Sequence, residues 1–137
     1  MDIPIKNIMS THLKTLHPKE KLSEAKEIFK QYDIHHIPVQ VMGEIRGIIS
    51  LGDLLFLEGI VTNSFDEFIQ TKRMELSTVD EIMTPNPICV DAEILLSEAL
   101  DILTKHRINA LPVLEEGKLA GIITTYDILK YLKNYLK

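Results

Sequence analysis

The segment Gly47-Ile48-Ile49-Ser50-Leu51-Gly52-Asp53 recurs as Gly121-Ile122-Ile123-Thr124-Thr125-Tyr126-Asp127, 74 residues further on. In both places an apolar run of strand character meets a hydroxyl residue, and a carboxylate follows three positions later. Ser/Thr-x-x-Asp at such a junction predicts a helix start, because hydroxyl and carboxylate satisfy N–H groups left unpaired in the first turn. Outward from this pair the matches keep the offset of 74: Ile8-Met9-Ser10 with Ile82-Met83-Thr84, Leu22-Ser23-Glu24-Ala25 with Leu96-Ser97-Glu98-Ala99. Ile34, Pro38 and Val39 return as Ile108, Pro112 and Val113. Residues 8–57 and 82–131 share 16 identities in 50 positions without a gap. One register held through five motifs marks a duplication.

The spacing of 74 exceeds the 20–50 residues of solenoid and propeller repeats, so the duplicated unit is a compact one. A copy of about 50 residues is marginal on its own, and the two copies are expected to bury a shared face. Each copy reads β-α-β-β-α. Extended runs are expected at Leu13–Leu16 and Pro87–Val90. Helices follow, with Leu22, Ala25, Ile28 and Phe29, and Leu96, Ala99, Leu100 and Leu103, at helical spacing. Ser23 and Ser97 lie near their starts. Strands are predicted at Ile37–Val41 and Ile45–Ile49, and at Leu111–Leu114 and Leu119–Ile123. Gly43-Glu44 and Glu116-Gly117 give the turns between them. Second helices start near Leu51 and Thr125. The fold class is α+β, with helices packed against small sheets. Residues 1–57 form the first copy, 58–77 a linker helix or insert, and 78–137 the second copy. In the insert Phe65, Phe68, Ile69 and Lys72 suggest one amphipathic helix, read as a linker in preference to a partner surface.

Composition narrows the function classes. The 137 residues are 45% apolar and 26% charged, as in ordinary globular proteins. The formal net charge of −5 argues against wrapping a nucleic-acid backbone, which demands a basic surface. A single cysteine, Cys89, excludes an internal disulfide and fits a reducing compartment. The N-terminal stretch MDIPIKNIMSTHLK lacks the apolar core of a signal peptide, and no apolar run reaches bilayer-spanning length. A cytoplasmic protein with no membrane partner is expected. No dinucleotide, Walker or nucleophile-elbow motif is present, and no nucleophile–base pair stands out, so no catalytic residue is assigned. Cys89, in Pro87-Ile88-Cys89-Val90, reads as a small core residue.

Two readings of the Ser/Thr-x-x-Asp boxes stand side by side. In one, Asp53 and Asp127 are helix caps and nothing more. In the other, a helix N-terminus attracts a phosphate, while a carboxylate beside it accepts hydrogen bonds from a vicinal diol such as ribose. His35 and His36 enter the following strand of the first copy. Neighbouring side chains there point to opposite faces, which disfavours joint chelation of a metal. One of the two is free to approach a phosphate while the other lines a pocket. The second copy has Asn109 and Ala110 instead, so two sites would not be equivalent.

Together these motifs resemble the cystathionine-beta-synthase (CBS) domain family, over both copies and all but residues 58–77. The resemblance implies a tandem pair, or Bateman module, with pseudo-two-fold symmetry and two clefts between the copies. Two modules commonly join as a homodimer. Family members typically sense AMP, ADP, ATP or S-adenosylmethionine and regulate an attached protein. Carried over, the resemblance assigns Asp53 and Asp127 to ribose hydroxyls, and Ser50 and Thr124 to sugar or phosphate. The base would lie against Ile88, Ile108 and Asn109 in the Asp53 cleft, and against Lys14, Ile34 and His35 in the Asp127 cleft. Phosphate contacts would come from His35 and His36. Ala110 replaces the phosphate-binding side chain in the second cleft, where Lys14 or Arg107 would have to compensate. The expectation is a free-standing regulatory module that binds an adenosine ligand and signals to an unidentified protein target. The alternative is a dimerisation scaffold with vestigial clefts.

Overall fold

The computed structural model describes residues 2–58 and 64–136, and for residues 58 and 64–66 the backbone alone. Along the chain the elements are α1 (Leu22–Gln31), β1 (His36–Val41), β2 (Glu44–Ser50), α2 (Leu51–Glu58) and α3 (Ser64–Leu76). Then come β3 (Thr84–Pro85), β4 (Val90–Asp91), α4 (Leu96–His106), β5 (Ala110–Glu115), β6 (Lys118–Thr124) and α5 (Thr125–Tyr135). The fold is α+β, with two three-stranded sheets of order β1-β2-β3 and β4-β5-β6.

These elements gather into two compact units, and the units do not follow the repeat boundaries. The first comprises Met1–Leu13, Gly43–Ile45 and Pro87–Lys137; the second comprises Lys14–Met42 and Arg46–Asn86. Each repeat lends its N-terminal arm to the unit built mainly from the other. In the first unit Ser10 bridges Ile122 of β6 antiparallel, with Ser10 N–H donating to the Ile122 carbonyl at 2.9 Å and the return bond at 3.0 Å. In the second unit β3 pairs antiparallel with β2, Ile48 opposite Thr84. Repeat spacing relates the two pairings residue for residue.

The same equivalence governs the rest of each arm. Ile5 N–H donates to the Ile94 carbonyl and Leu96 N–H to the Ile3 carbonyl, while Val79 N–H donates to Glu20 and Leu22 N–H to Ser77. Ile5 and Val79 are the apolar anchors, each fully buried. Ile5 packs in the core of Val90, Leu96, Ala99, Leu103, Leu111, Val113 and Ile123. Val79 packs with Leu16, Leu22, Ala25, Ile37, Val39, Ile49 and Leu54. Gly121 and Gly47 let the arms lie close: a Cβ on Gly121 would sit 2.8 Å from the Ser10 carbonyl oxygen, and one on Gly47 2.8 Å from that of Thr84. Each arm also carries one ion pair, Lys6 with Glu93 at 2.6 Å and Asp80 with Lys19 at 2.8 Å.

Several details depart from the sequence expectation. The strand expected at Leu13–Leu16 reduces to a single parallel bridge between Leu16 and Val39. That expected at Pro87–Val90 becomes Val90–Asp91, paired parallel with β5; Pro87 has no N–H to contribute to a ladder. The first hairpin turns at Met42-Gly43, with φ of 51° and 85°, one residue before the expected Gly43-Glu44. Glu116-Gly117 turns alike, with φ of 50° and 78°, as two-residue turns matching strand twist require. Ser23 and Ser97 do lie at the helix starts, each second in its helix, with the N-cap positions on Lys21 and Leu95. Asp2, from the exchanged arm, accepts hydrogen bonds from Ser97 N–H at 3.0 Å and Ser97 Oγ at 2.5 Å.

Residues 59–63 of the expected linker lie outside the described residues. The helix that follows is not a bare connector. On α3 Met74 is buried in the second core and Gln70 donates to the Leu57 carbonyl. Phe68 and Ile69, which signalled the helix in sequence, are 61% and 40% exposed. A residue as near the chain terminus as Ile5 should therefore behave as mid-core. Ile5→Ala is expected to lower unfolding stability by about 2–5 kcal/mol, measured by urea denaturation. A change within about 0.5 kcal/mol, as at surface positions, would show that the arm is not packed.

Candidate functional site

The strand-to-helix junctions place the carboxylates. In the first unit β6 ends at Thr124 and α5 begins at Thr125. Thr124 Oγ1 accepts from Asp127 N–H at 3.2 Å, and Asp127 Oδ2 accepts from Thr124 N–H at 2.9 Å and Thr124 Oγ1 at 3.0 Å. In the second unit β2 runs into α2 in the same way. Ser50 Oγ accepts from Asp53 N–H at 3.1 Å, and Asp53 Oδ2 accepts from Ser50 N–H at 2.8 Å. Both boxes close reciprocally, so the capping reading holds as geometry. It leaves the functional reading intact, since a carboxylate oxygen has capacity for more than one donor.

The entry to the preceding hairpin is tied to the same spot. Leu51 N–H donates to the His35 carbonyl at 2.8 Å, and Thr125 N–H to the Asn109 carbonyl at 3.0 Å. The second unit thereby brings His35, His36, Ser50 and Asp53 together at the start of α2. The first brings Asn109, Ala110, Thr124 and Asp127 together at the start of α5, where Ala110 lies opposite Thr124 in the sheet. Of the residues expected against a base, Ile88, Ile108 and Asn109 fall in the first unit, and Lys14, Ile34 and His35 in the second. Lys14 Nζ lies 4.4 Å from the ring centre of Tyr32, a cation–π contact that engages its charge. Arg107 ends α4 in the left-handed conformation, exposed.

Electrostatics separates the two histidines. Burial, and secondarily the adjacent His35, hold His36 below the usual imidazole range, with Asp53 pulling the other way. Burial raises the Cys89 thiol, whose Sγ donates to the Pro87 carbonyl at 3.3 Å, and a protonated thiol is a poor nucleophile. Among the described residues no group of three or more His, Cys, Asp or Glu side chains is placed to hold a metal ion. None of their helices is long and apolar enough to cross a membrane. A groove of about 670 Å³ lies between α1 and α3, lined by Glu24, Lys26, Lys30, Glu67 and Gln70 among others. No candidate site residue lines it.

Sequence reasoning missed one participant, Ser10. Its Oγ donates to Asp127 Oδ1 at 2.9 Å. Asp127 is 5% exposed. At the equivalent place in the second unit stands Thr84, exposed, with no hydrogen bond to Asp53. Ser10 belongs to the repeated Ile-Met-Ser/Thr motif, and only the arm exchange reveals that this hydroxyl reaches Asp127.

The CBS-domain family model matches residues 5–62 and 79–134, most of the chain. The protein belongs to the CBS-domain family. The inosine-5'-monophosphate dehydrogenase of Staphylococcus aureus is 32% identical over 118 residues, 86% of this chain. The chain spans 22% of that enzyme's length. Among solved structures, a Vibrio cholerae protein assigned to acetoin utilization (AcuB) is 28% identical with a TM-score of 0.79, covering 99% of this chain and 94% of its own. CBSX2, solved in complex with AMP, is 23% identical with a TM-score of 0.81 over 98% of this chain and 99% of its own. These likenesses establish a tandem CBS pair as the architecture.

The histidine environment gives a pH dependence. His36 is depressed in the folded chain and sits near the ordinary value of about 6.5 once unfolded. Above that value it is neutral in both states. As pH falls below it the unfolded chain takes the proton first, so stability drops until the folded value is passed. Melting of ligand-free protein should therefore fall between pH 7.5 and 5.5, and His36→Gln should flatten part of that fall. An unchanged slope in the variant would remove His36 as its source.

Proposed function

We propose that this CBS pair is a sensor of adenosine-containing ligands, with AMP, ADP, ATP and S-adenosylmethionine as the candidates. The reading rests on one observation above all: Asp53 heads α2 with Oδ1 free of any donor among the described residues, beside His35 and His36. A ribose diol donates to such a carboxylate, and a phosphate is favoured by a helix N-terminus and by imidazolium. Phosphate close to His36 would raise its affinity for a proton. That CBSX2 holds AMP supports taking AMP as the first probe.

The mechanism is a shift of populations: a ligand acts only as far as it binds one conformation better than another. An unidentified protein target would read that shift. Homodimerisation is part of the proposal, supported by the exposed apolar side chains Leu55 and Phe56 on α2 and Tyr126 and Leu129 on α5. Because both boxes are complete as reciprocal helix caps, a purely structural scaffold is the competing reading.

A thermal-shift panel on nucleotide-free protein separates the two. A ligand at 100 times its dissociation constant stabilises by about 2.7 kcal/mol, which moves the midpoint several degrees at this size. Asp53→Asn combined with Asp127→Asn keeps a capping oxygen at each box but removes the charge and one acceptor oxygen, and should abolish the shift. No shift from any of the four ligands would favour the scaffold.

A further inference from the structure

The repeats carry the same box, yet their carboxylates are in different states. Asp53 has one oxygen capped by Ser50 N–H and one without a donor among the described residues. Asp127 has Oδ2 filled by Thr124 N–H and Oγ1, and Oδ1 held by Ser10 Oγ at 2.9 Å. Ser10 is exposed while Asp127 beneath it is 5% exposed, so the serine covers the carboxylate. The equivalent Thr84 makes no such bond. The difference is therefore local to this pair of side chains and is not a general feature of the repeat.

We propose that Ser10 is an occupancy-determining residue: its hydroxyl takes the place on Asp127 that a ribose hydroxyl would take, leaving Asp53 as the ligand site that fills first. This rests on the adenosine-ligand reading above. With Oδ2 accepting twice and Oδ1 once, Asp127 keeps a single acceptor site, so a ribose diol that donates two hydrogen bonds must displace the Ser10 hydroxyl from a charged group. Such bonds contribute enough to weaken a competitor by about tenfold to hundredfold. Asp53 exacts no such displacement. Ala110 adds to the bias, since the first unit lacks the imidazole that His36 supplies in the second. The chain would thus respond to ligand with one sensitive and one silent box.

The substitution to use is Ser10→Ala. Ser10 pairs with β6 through its main chain, Ser10 N–H to Ile122 and Ile122 N–H to Ser10, so the fold keeps its ladder when the hydroxyl is removed. Calorimetric titration of the full chain with AMP, ADP, ATP and S-adenosylmethionine reads stoichiometry and affinity. The expected result is one tight site per chain in the wild type, lost in Asp53→Asn. Ser10→Ala should gain a second site, tightened about tenfold to hundredfold, and Ser10→Ala with Asp53→Asn should retain that site alone. Ser10→Cys keeps the side-chain size but offers only a weak donor and should gain the second site as Ser10→Ala does, which a mere packing effect of position 10 would not produce. Two equal sites in the wild type, or no gain in Ser10→Ala while Asp53→Asn still abolishes binding, would overturn the role of Ser10 and leave the ligand reading standing. Absence of binding in every protein would overturn both.

Discussion

The exchange of N-terminal arms is the constraint on which the structure depends. Neither sheet is complete without the short antiparallel pairing that the other repeat supplies, Ser10 on β6 and Thr84–Pro85 on β2. Neither core is filled without the arm's buried aliphatic residue, Ile5 or Val79. An unpaired strand edge is a template for unwanted association, and the arms cover it with backbone bonds already used. A 50-residue copy that could not close its own core becomes stable by borrowing, at the expense of contacts far apart in sequence, which slow folding.

Much of this was legible in the sequence. The offset of 74 gave the duplication, and apolar spacing gave α1, α4 and the hairpins β1–β2 and β5–β6. Ser-x-x-Asp and Thr-x-x-Asp gave the helix starts, and the structure closes both as reciprocal boxes. What failed to show was partnership across the chain. Ile5 and Val79 sit in three-residue helical turns too short to carry periodicity, so nothing local marked them as core. On α3 the apolar residues Phe68 and Ile69 suggested the buried face, but Gln70 and Met74 occupy it; a glutamine that finds a carbonyl partner is tolerated inside. The hydroxyl of Ser10 was visible as a repeated letter only.

Duplication supplies two copies of one design, and the environment then makes them differ. Asp53 and Asp127 hold the same place on equivalent helices. Their neighbours decide their chemistry: two histidines near one, an alanine and a serine near the other. Backbone architecture was retained through both copies while the side chains against the carboxylates diverged. Fold identity therefore predicts where a ligand would be met, and says little about which of two equivalent places meets it.

The ion pairs on the two arms have a further consequence. Lys6 with Glu93, and Asp80 with Lys19, occupy equivalent positions with the signs reversed. Exposed pairs of this kind contribute little to stability. They do discriminate. An arm folded back on its own repeat would set Lys6 against Lys19, and Asp80 against Glu93. Like charges in the incorrect pairing and opposite charges in the correct one act as a parity check on two nearly interchangeable halves. Had both pairs kept one polarity, the self-paired and exchanged forms would have been electrostatically indistinguishable. The inversion gives the duplicated chain a way to tell its first half from its second.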